Sequence, residues 1–322
     1  MMRLCSKKTA RGFSLTELMV ALLLGSFLVA GVIGVYLSNV STNRVNQQIS
    51  QLQQASQVSF QLLSQDVQHA GYAGCGNVMA AHVFNALNPP LAWWNSWIGG
   101  LQGFEFGAFP DFSNGTVVPL PNTDALQVMY GRGVSASVVS HNATGNPAMV
   151  INQNLAGIVA NDIVMSCDSK WGLIFQVTAV AGNSLSHGVG AGAPGNRTLQ
   201  FGVAPNGMTY QRNISSDAGF VMPMESAAWF VGTRNNLTSL YRVVVVAGQL
   251  RVEEIVPNVS NLQLQYLQRG TPNYVDASAV VDWETVVSVR AVLTLADNPN
   301  APVALALREI SQVVNLRNRR DQ

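Results

Sequence analysis

Two features of this sequence have residue types and spacing that could do chemistry. The first is Glu17, at the mouth of an uncharged run from Leu18 to Leu37 that reads LMVALLLGSFLVAGVIGVYL. An acid inside a membrane is disfavoured by about 2.5–3.5 kcal/mol at the centre, so one at the edge of such a run calls for a cationic partner. The alternative is an acid in a first helical turn, which the helix macrodipole favours without any partner. The second feature is Cys75 with Cys167. In an exported chain they allow one intrachain bridge, which would close a loop of about ninety residues and contribute roughly 4–5 kcal/mol by chain entropy. Two buried free thiols are the other reading.

Catalytic and metal-binding patterns are sparse. His69, His82, His141 and His187 have no ligand-like spacing to one another or to the cysteines, so no metal site is expected. Gly190-Ala191-Gly192-Ala193-Pro194-Gly195 matches G-x-G-x-x-G formally. It carries a proline and precedes strand-like Thr198 to Phe201 instead of opening a helix, so it reads as a flexible loop. There is no G-x-S-x-G elbow and no P-loop. Asp297-Asn298-Pro299-Asn300 is better explained as a turn than as a calcium loop. The expectation is a protein that is not an enzyme and needs no cofactor.

Glu17 must be positioned by a membrane helix. Leu18 to Leu37 would span roughly 30 Å of hydrocarbon at 1.5 Å per residue. Arg3, Lys7, Lys8 and Arg11 precede it with no acid among them, which places the leader on the cytoplasmic side and the rest outside. Removing that leader leaves 14 basic against 17 acidic residues, so no basic excess argues for nucleic acid. A hydrophobic content of 48% excludes global disorder, and a charged fraction of only 11% suits an exported, turn-rich protein. Helical spacing continues beyond Leu37 through Val45, Ile49, Leu52, Leu63 and Val67, with Phe60 and Leu62 widening the stripe. A helix from Phe13 to about Ala70 would be roughly 85 Å long. Gly25, Gly31 and Gly34 interrupt its apolar half, permitting either bending or close helix packing. Gly71, Gly74 and Gly76 end it.

Beyond the helix lie strand-like runs. They cover Ala125 to Tyr130, Ile163 to Cys167, Leu173 to Val180, Thr198 to Phe201, Leu240 to Val246, Leu250 to Val256, Leu262 to Leu267, Val286 to Leu295 and Val313 to Leu316. Ala247-Gly248-Gln249 and Asn206-Gly207 are turn signals, and Pro302 to Ile310 is the best helical stretch. The architecture expected is α+β, one long helix on a large antiparallel sheet. Between Leu91 and Phe112, seven of 22 residues are aromatic against 8% overall. Trp93, Trp94 and Trp97 in that segment could anchor a partner. The alternative is a satellite cluster folded on the sheet. Arg317, Arg319 and Arg320 read as a solvated basic end.

Gly12-Phe13-Ser14-Leu15-Thr16-Glu17-Leu18 resembles the processing motif of type IV prepilins. That resemblance implies cleavage between Gly12 and Phe13 by a prepilin peptidase, N-methylation of Phe13, and pairing of Glu17 with the methylated amine of a neighbouring subunit. A glycine before the cut lets the backbone enter a peptidase cleft without a side chain. The run Ala70-Gly71-Tyr72-Ala73-Gly74-Cys75 after Gln65-Asp66-Val67 extends the likeness. So do Asp162 to Cys167, Phe175 to Thr178 and Val313 to Arg319, and together they resemble PilW-type minor pilins of type IV pili.

The resemblance implies a pilin-like fold with a leader at 1–12, a helix at 13–70 with its transmembrane segment at 18–37, and a periplasmic or extracellular head at 71–322. The implied function is a minor pilin that primes pilus assembly and sits in a tip complex. Its partners would be other minor pilins, the major pilin, a tip adhesin, the prepilin peptidase and the inner-membrane assembly platform. The chain would lie in the bacterial inner membrane before assembly and in the pilus, at its tip, afterwards. Alternatives are a minor pseudopilin of a type II secretion system and, in a different class, a membrane-tethered periplasmic ligand-binding protein or enzyme.

Overall fold

The structure, a computed structural model, describes residues 14–74, 83–105, 109–142, 148–167, 172–190, 192–197, 219–246, 248–296 and 309–319. The chain divides into two compact units, Met1–Gln53 with Asp297–Ala306 and Gln54–Ala296 with Leu307–Gln322. Helix α1 (Leu15–His69) contributes to both.

In the first unit the large apolar side chains from Leu15 to Leu37 are all exposed. A helix apolar all round has no aqueous solution to its burial problem, so lipid or other helices must cover it. A Cβ added at Gly25, Gly31 or Gly34 would meet nothing within 4 Å. No contact among the described residues therefore explains three residues that each cost about 1 kcal/mol of helix propensity.

In the second unit the last turns of α1 bury one stripe: Ser59, Phe60, Leu63, Asp66, Val67 and Ala70. The strands that receive it begin with β1 (Val83–Asn85), β2 (Leu101–Phe104), β3 (Val118–Pro119), β4 (Ala125–Gly131), β5 (Ala136–Asn142) and β6 (Ala148–Ile151). Next come β7 (Ile163–Cys167), β8 (Gly172–Gln176), β9 (Ala179–Ala181), β10 (Ser184–Ser186), β11 (Phe220–Arg234) and β12 (Leu237–Val246). The series ends with β13 (Gln249–Pro257), β14 (Val259–Gln268), β15 (Tyr274–Val275), β16 (Val286–Leu295) and β17 (Glu309–Asn315).

Among the described residues these make two sheets, not one. A 13-stranded sheet is organised around β11, which pairs with β3, β4, β5, β7 and β12, and a 4-stranded sheet runs β15-β14-β16-β17. Every pair is antiparallel except β1 with β8. The largest core joins Phe60, Leu63 and Val67 of the helix to Leu126, Trp229, Leu240, Leu264, Tyr266, Val289 and Val314 of both sheets. This is the α+β arrangement expected, with the helix stripe as the shared filling. Strands β7 and β16 occupy the spans expected of them. Between β12 and β13, Val246 pairs with Gln249 and Gly248 takes φ +75, as the expected turn requires; Ala247 lies outside the described residues. Glu309 and Ile310, expected in a helix, open strand β17 instead, because their backbones pair with Thr294 and Leu293 of β16. The rest of that stretch, Thr198 to Phe201, Asn206-Gly207 and Asp297 to Asn300 lie outside the described residues.

Gly71, at φ +78, stops the helix in the left-handed region, and its N–H donates to the Met129 carbonyl at 2.9 Å. Gly100 lies against it: a Cβ there would stand 2.2 Å from the Gly71 nitrogen, and Gly100 itself has φ +92. Two backbones touch where no side chain fits. Gly100→Ala is therefore expected to lower stability by about 2–4 kcal/mol, from backbone strain plus overpacking. Denaturant unfolding of the full mature chain in detergent checks this, and an unchanged midpoint would refute the close approach.

Asp124 stitches the two sheets. Its N–H donates to the Leu262 carbonyl at 2.9 Å, and its Oδ2 accepts from the Leu264 N–H at 2.8 Å. Burial pushes its carboxyl up to about 6, the Leu264 N–H opposes that, and the charges of Glu105 and Asp276 add to it. A carboxyl raised in the folded state penalises folding only where it must ionise. The penalty is absent below pH 4, grows between pH 4 and 6, and is complete above. Asp124→Asn keeps an acceptor for Leu264 and removes the charge. It is expected to raise the melting temperature by about 2–4 °C at pH 7.5 and leave it unchanged at pH 4. Equal shifts at both pH values would rule out ionisation as the cause.

Candidate functional site

Residues Gly12 and Phe13 lie outside the described residues, so the site begins at Ser14. The Ser14 N–H donates to Glu17 Oε2 at 3.0 Å, and the Glu17 N–H donates back to Ser14 Oγ at 3.4 Å. That reciprocal pair is a capping box, the arrangement that S-x-x-E supports at a helix start. Within one chain Glu17 thus has a local task, and its side chain stays exposed. The span Leu15–Gln47 that follows holds an 18-residue stretch with a mean hydropathy of 2.6 and is long and apolar enough to cross a membrane.

At the far end of the same helix, Asp66 is the centre of a buried charge knot. Its Oδ2 accepts from Trp229 Nε1 at 2.7 Å and from Arg242 Nε at 2.8 Å, and its Oδ1 accepts from Tyr130 Oη and Arg242 Nη2, both at 2.8 Å. Arg242 also reaches Glu225 at 3.1 Å and Glu253 at 3.6 Å, and Arg132 reaches Glu225 at 3.4 Å. Desolvation works against the Arg242 cation, but the hydrogen-bonded Asp66 anion outweighs it and holds its pKa above the ordinary value. Desolvation first, then the Asp66 and Glu225 charges, push the Tyr130 phenol up as well, so it stays a neutral donor. In the sequence Asp66 was visible only as part of the helix-end motif. Arg242 carried no signal there, since it is an outlier within an apolar strand.

Cys167 is fully buried at the end of β7, and its sulfur lies 2.7 Å from the Ala73 carbonyl oxygen. Cys75 lies outside the described residues. Trp93 packs edge-on against Phe112 at 5.0 Å, and Trp94 and Trp97 pack on the cluster of Leu87, Met165 and Ile174. Carbonyls hold the segment down: that of Trp93 accepts from Gln127 Nε2, and that of Trp94 from Ser226 Oγ, both at 2.6 Å. All three indoles are half-buried on the sheet, and Trp94 also lines a cleft with Arg132, Asp162, Met224 and Glu225.

One expectation is corrected. Arg319 is not solvated: it is 1% exposed and donates to the carbonyls of Gly99, Trp283 and Val286. Its guanidinium replaces water with main-chain acceptors, and burial lowers its pKa to about 10. His141 and His187, 46 residues apart in sequence, meet with their Nε2 atoms 3.0 Å apart. Burial pushes His141 down to about 4, and burial with the neighbouring ring pushes His187 down to about 3. Gln176 ties down the end of the G-x-G-x-x-G segment: its Oε1 accepts from the Gly195 N–H at 2.7 Å and its Nε2 donates to the Ala193 carbonyl at 3.3 Å.

Residues 7–33 match the prokaryotic N-terminal methylation motif. The chain carries a type IV pilin-like prepilin signal. No curated protein and no solved structure matches the chain. With the exposed apolar helix and the β-rich head, the prepilin signal indicates a type IV pilin-like or pseudopilin-like protein, processed by prepilin peptidase and fitted for an inner-membrane anchor. It points to a structural role rather than an enzymatic one.

Proposed function

We propose that this protein is a minor pilin of the type IV pilus, which primes assembly and sits in a tip complex with other minor pilins, the major pilin and a tip adhesin. The observation that carries the reading is the prepilin signal leading into a membrane-length helix whose apolar side chains are all uncovered in the single chain. Burial of that surface among sister helices supplies the drive from membrane to filament. The three glycines, which face open space among the described residues, fit such packing or a bend within it. A head of two sheets is large for a repeating subunit of a thin fibre, which favours a terminal position.

In this reading Phe13 becomes the methylated amino terminus after cleavage at Gly12, and the head faces the periplasm before assembly. Cys75 pairs with Cys167, supported by the position of the Cys167 sulfur beside Ala73, two residues from Cys75. Trp94, beside its cleft, is the part of the aromatic segment offered to a partner. A clean deletion, complemented by the wild-type gene, tests the proposal through surface-sheared pilin and secreted exoproteins. Pili are expected to disappear with secretion intact. Normal pili with blocked secretion would make the protein a pseudopilin of the type II system, and no change in either would overturn both assembly roles.

A further inference from the structure

We propose that His141, His187 and Met149 form a binding site for a single monovalent copper ion inside the lobe built by β5, β6 and β10. The two imidazoles already converge, with Nε2 atoms 3.0 Å apart and ring centroids 5.1 Å apart. Two ligands on one metal, each at ~2.0 Å and set at tetrahedral or trigonal angles, need nitrogens about 3.3–3.5 Å apart. A few tenths of an ångström of opening suffices.

The third donor comes from strand register. Met149 on β6 stands directly across from His141 on β5 and across from Leu185 on β10, and His187 follows two residues after Leu185. Directly opposed residues share a face with Cβ atoms about 4.5–5.5 Å apart, within reach of a flexible thioether. His141 is 6% exposed, and His187 and Met149 are fully buried. Met149 belongs to the same cluster as Phe175, whose ring lies 5.3 Å from that of His187.

The donor chemistry selects the ion. Two neutral imidazoles and a thioether form a soft set without a thiolate or carboxylate among the residues proposed, which suits copper(I) over zinc, calcium or magnesium. Neutral ligands leave the ion's full charge uncompensated in an apolar core, so a monovalent ion costs far less desolvation than a divalent one. Loading is proton-neutral. The ring that now carries hydrogen on Nε2 shifts it to Nδ1, and both Nε2 lone pairs then face the metal.

The test is competition for copper(I) between the full mature protein in detergent and bicinchoninate, under a reductant. Wild type is expected to withdraw one copper per chain, with a two-nitrogen, one-sulfur shell in X-ray absorption. Met149→Leu, which conserves volume, should weaken binding by tenfold or more and lose the sulfur scatterer while keeping the melting temperature. His187→Gln should abolish binding. Copper left with the chelator by wild type would overturn the proposal, as would equal retention by wild type and Met149→Leu, or a sulfur shell that persists in Met149→Leu. In the first case the histidine pair is a structural hydrogen bond only.

Discussion

Replacing Asp66 with alanine is expected to destabilise the head by about 3–5 kcal/mol, the range for removing one partner of a buried ion pair. The Asp66 side chain is 2% exposed and takes four donors from three side chains, Tyr130, Trp229 and Arg242. Alanine leaves the Trp229 indole N–H without the acceptor that faces it, leaves the Tyr130 hydroxyl only its longer 3.3 Å contact with Glu225, and leaves Arg242 to Glu225 and Glu253 alone. Asp66→Asn should recover little. It keeps the shape, but its amide group turns a donor toward donors. Arg242→Lys is expected to cost less than Asp66→Ala, because the charge survives while the two-pronged contact is lost. Urea unfolding followed by tryptophan fluorescence reads all three, with Trp229 reporting from the knot itself. If Asp66→Ala costs under 1 kcal/mol, the knot does not hold the helix end to the sheets.

That knot shows where reading the sequence runs out. The helix stripe was legible because Phe60, Leu63 and Val67 recur at helical spacing. Strands β7, β13, β14 and β16 were legible from apolar runs bounded by turn residues. Strand β11 was not, although it organises the larger sheet. Phe220 to Arg234 has sheet or core on both faces through most of its length, so it shows no alternation, and Pro223 and Glu225 interrupt its apolar character. The proline is tolerated because its missing N–H falls where ladders end: β7 pairs with the strand only through Phe220–Pro223, β4 only from Met224 and β12 only from Ala227. Long-range pairs were equally invisible. Asp66 with Arg242, His141 with His187 and Arg319 with the Gly99 carbonyl are set by topology, and no local spacing encodes them.

Glu17→Gln is expected to abolish surface pili as fully as Glu17→Ala, although the two differ in what they do to the single chain. The capping box needs only an acceptor at position 17 for the Ser14 N–H, which glutamine supplies. Alanine removes it, at about 0.5–2 kcal/mol of helix-start stability. If Glu17 served only its own helix, glutamine would restore pili and alanine would not. If it pairs with the methylated amine of a neighbouring Phe13, as the proposed function requires, glutamine fails too. The neighbour's charge is then buried among apolar helices without an anion. An unpaired charge in such surroundings is worth about 2.5–3.5 kcal/mol, or roughly two orders of magnitude in the assembly equilibrium. Sheared-pilus yield is the readout. Mass spectrometry of each variant must also find methylated Phe13 as the amino terminus, since a processing defect would mimic an assembly defect. Wild-type yield from correctly processed Glu17→Gln would remove the charge-pairing role and leave Glu17 as a helix cap. Loss of pili with processing intact would make the carboxylate's charge, not its hydrogen bond, the feature on which assembly depends.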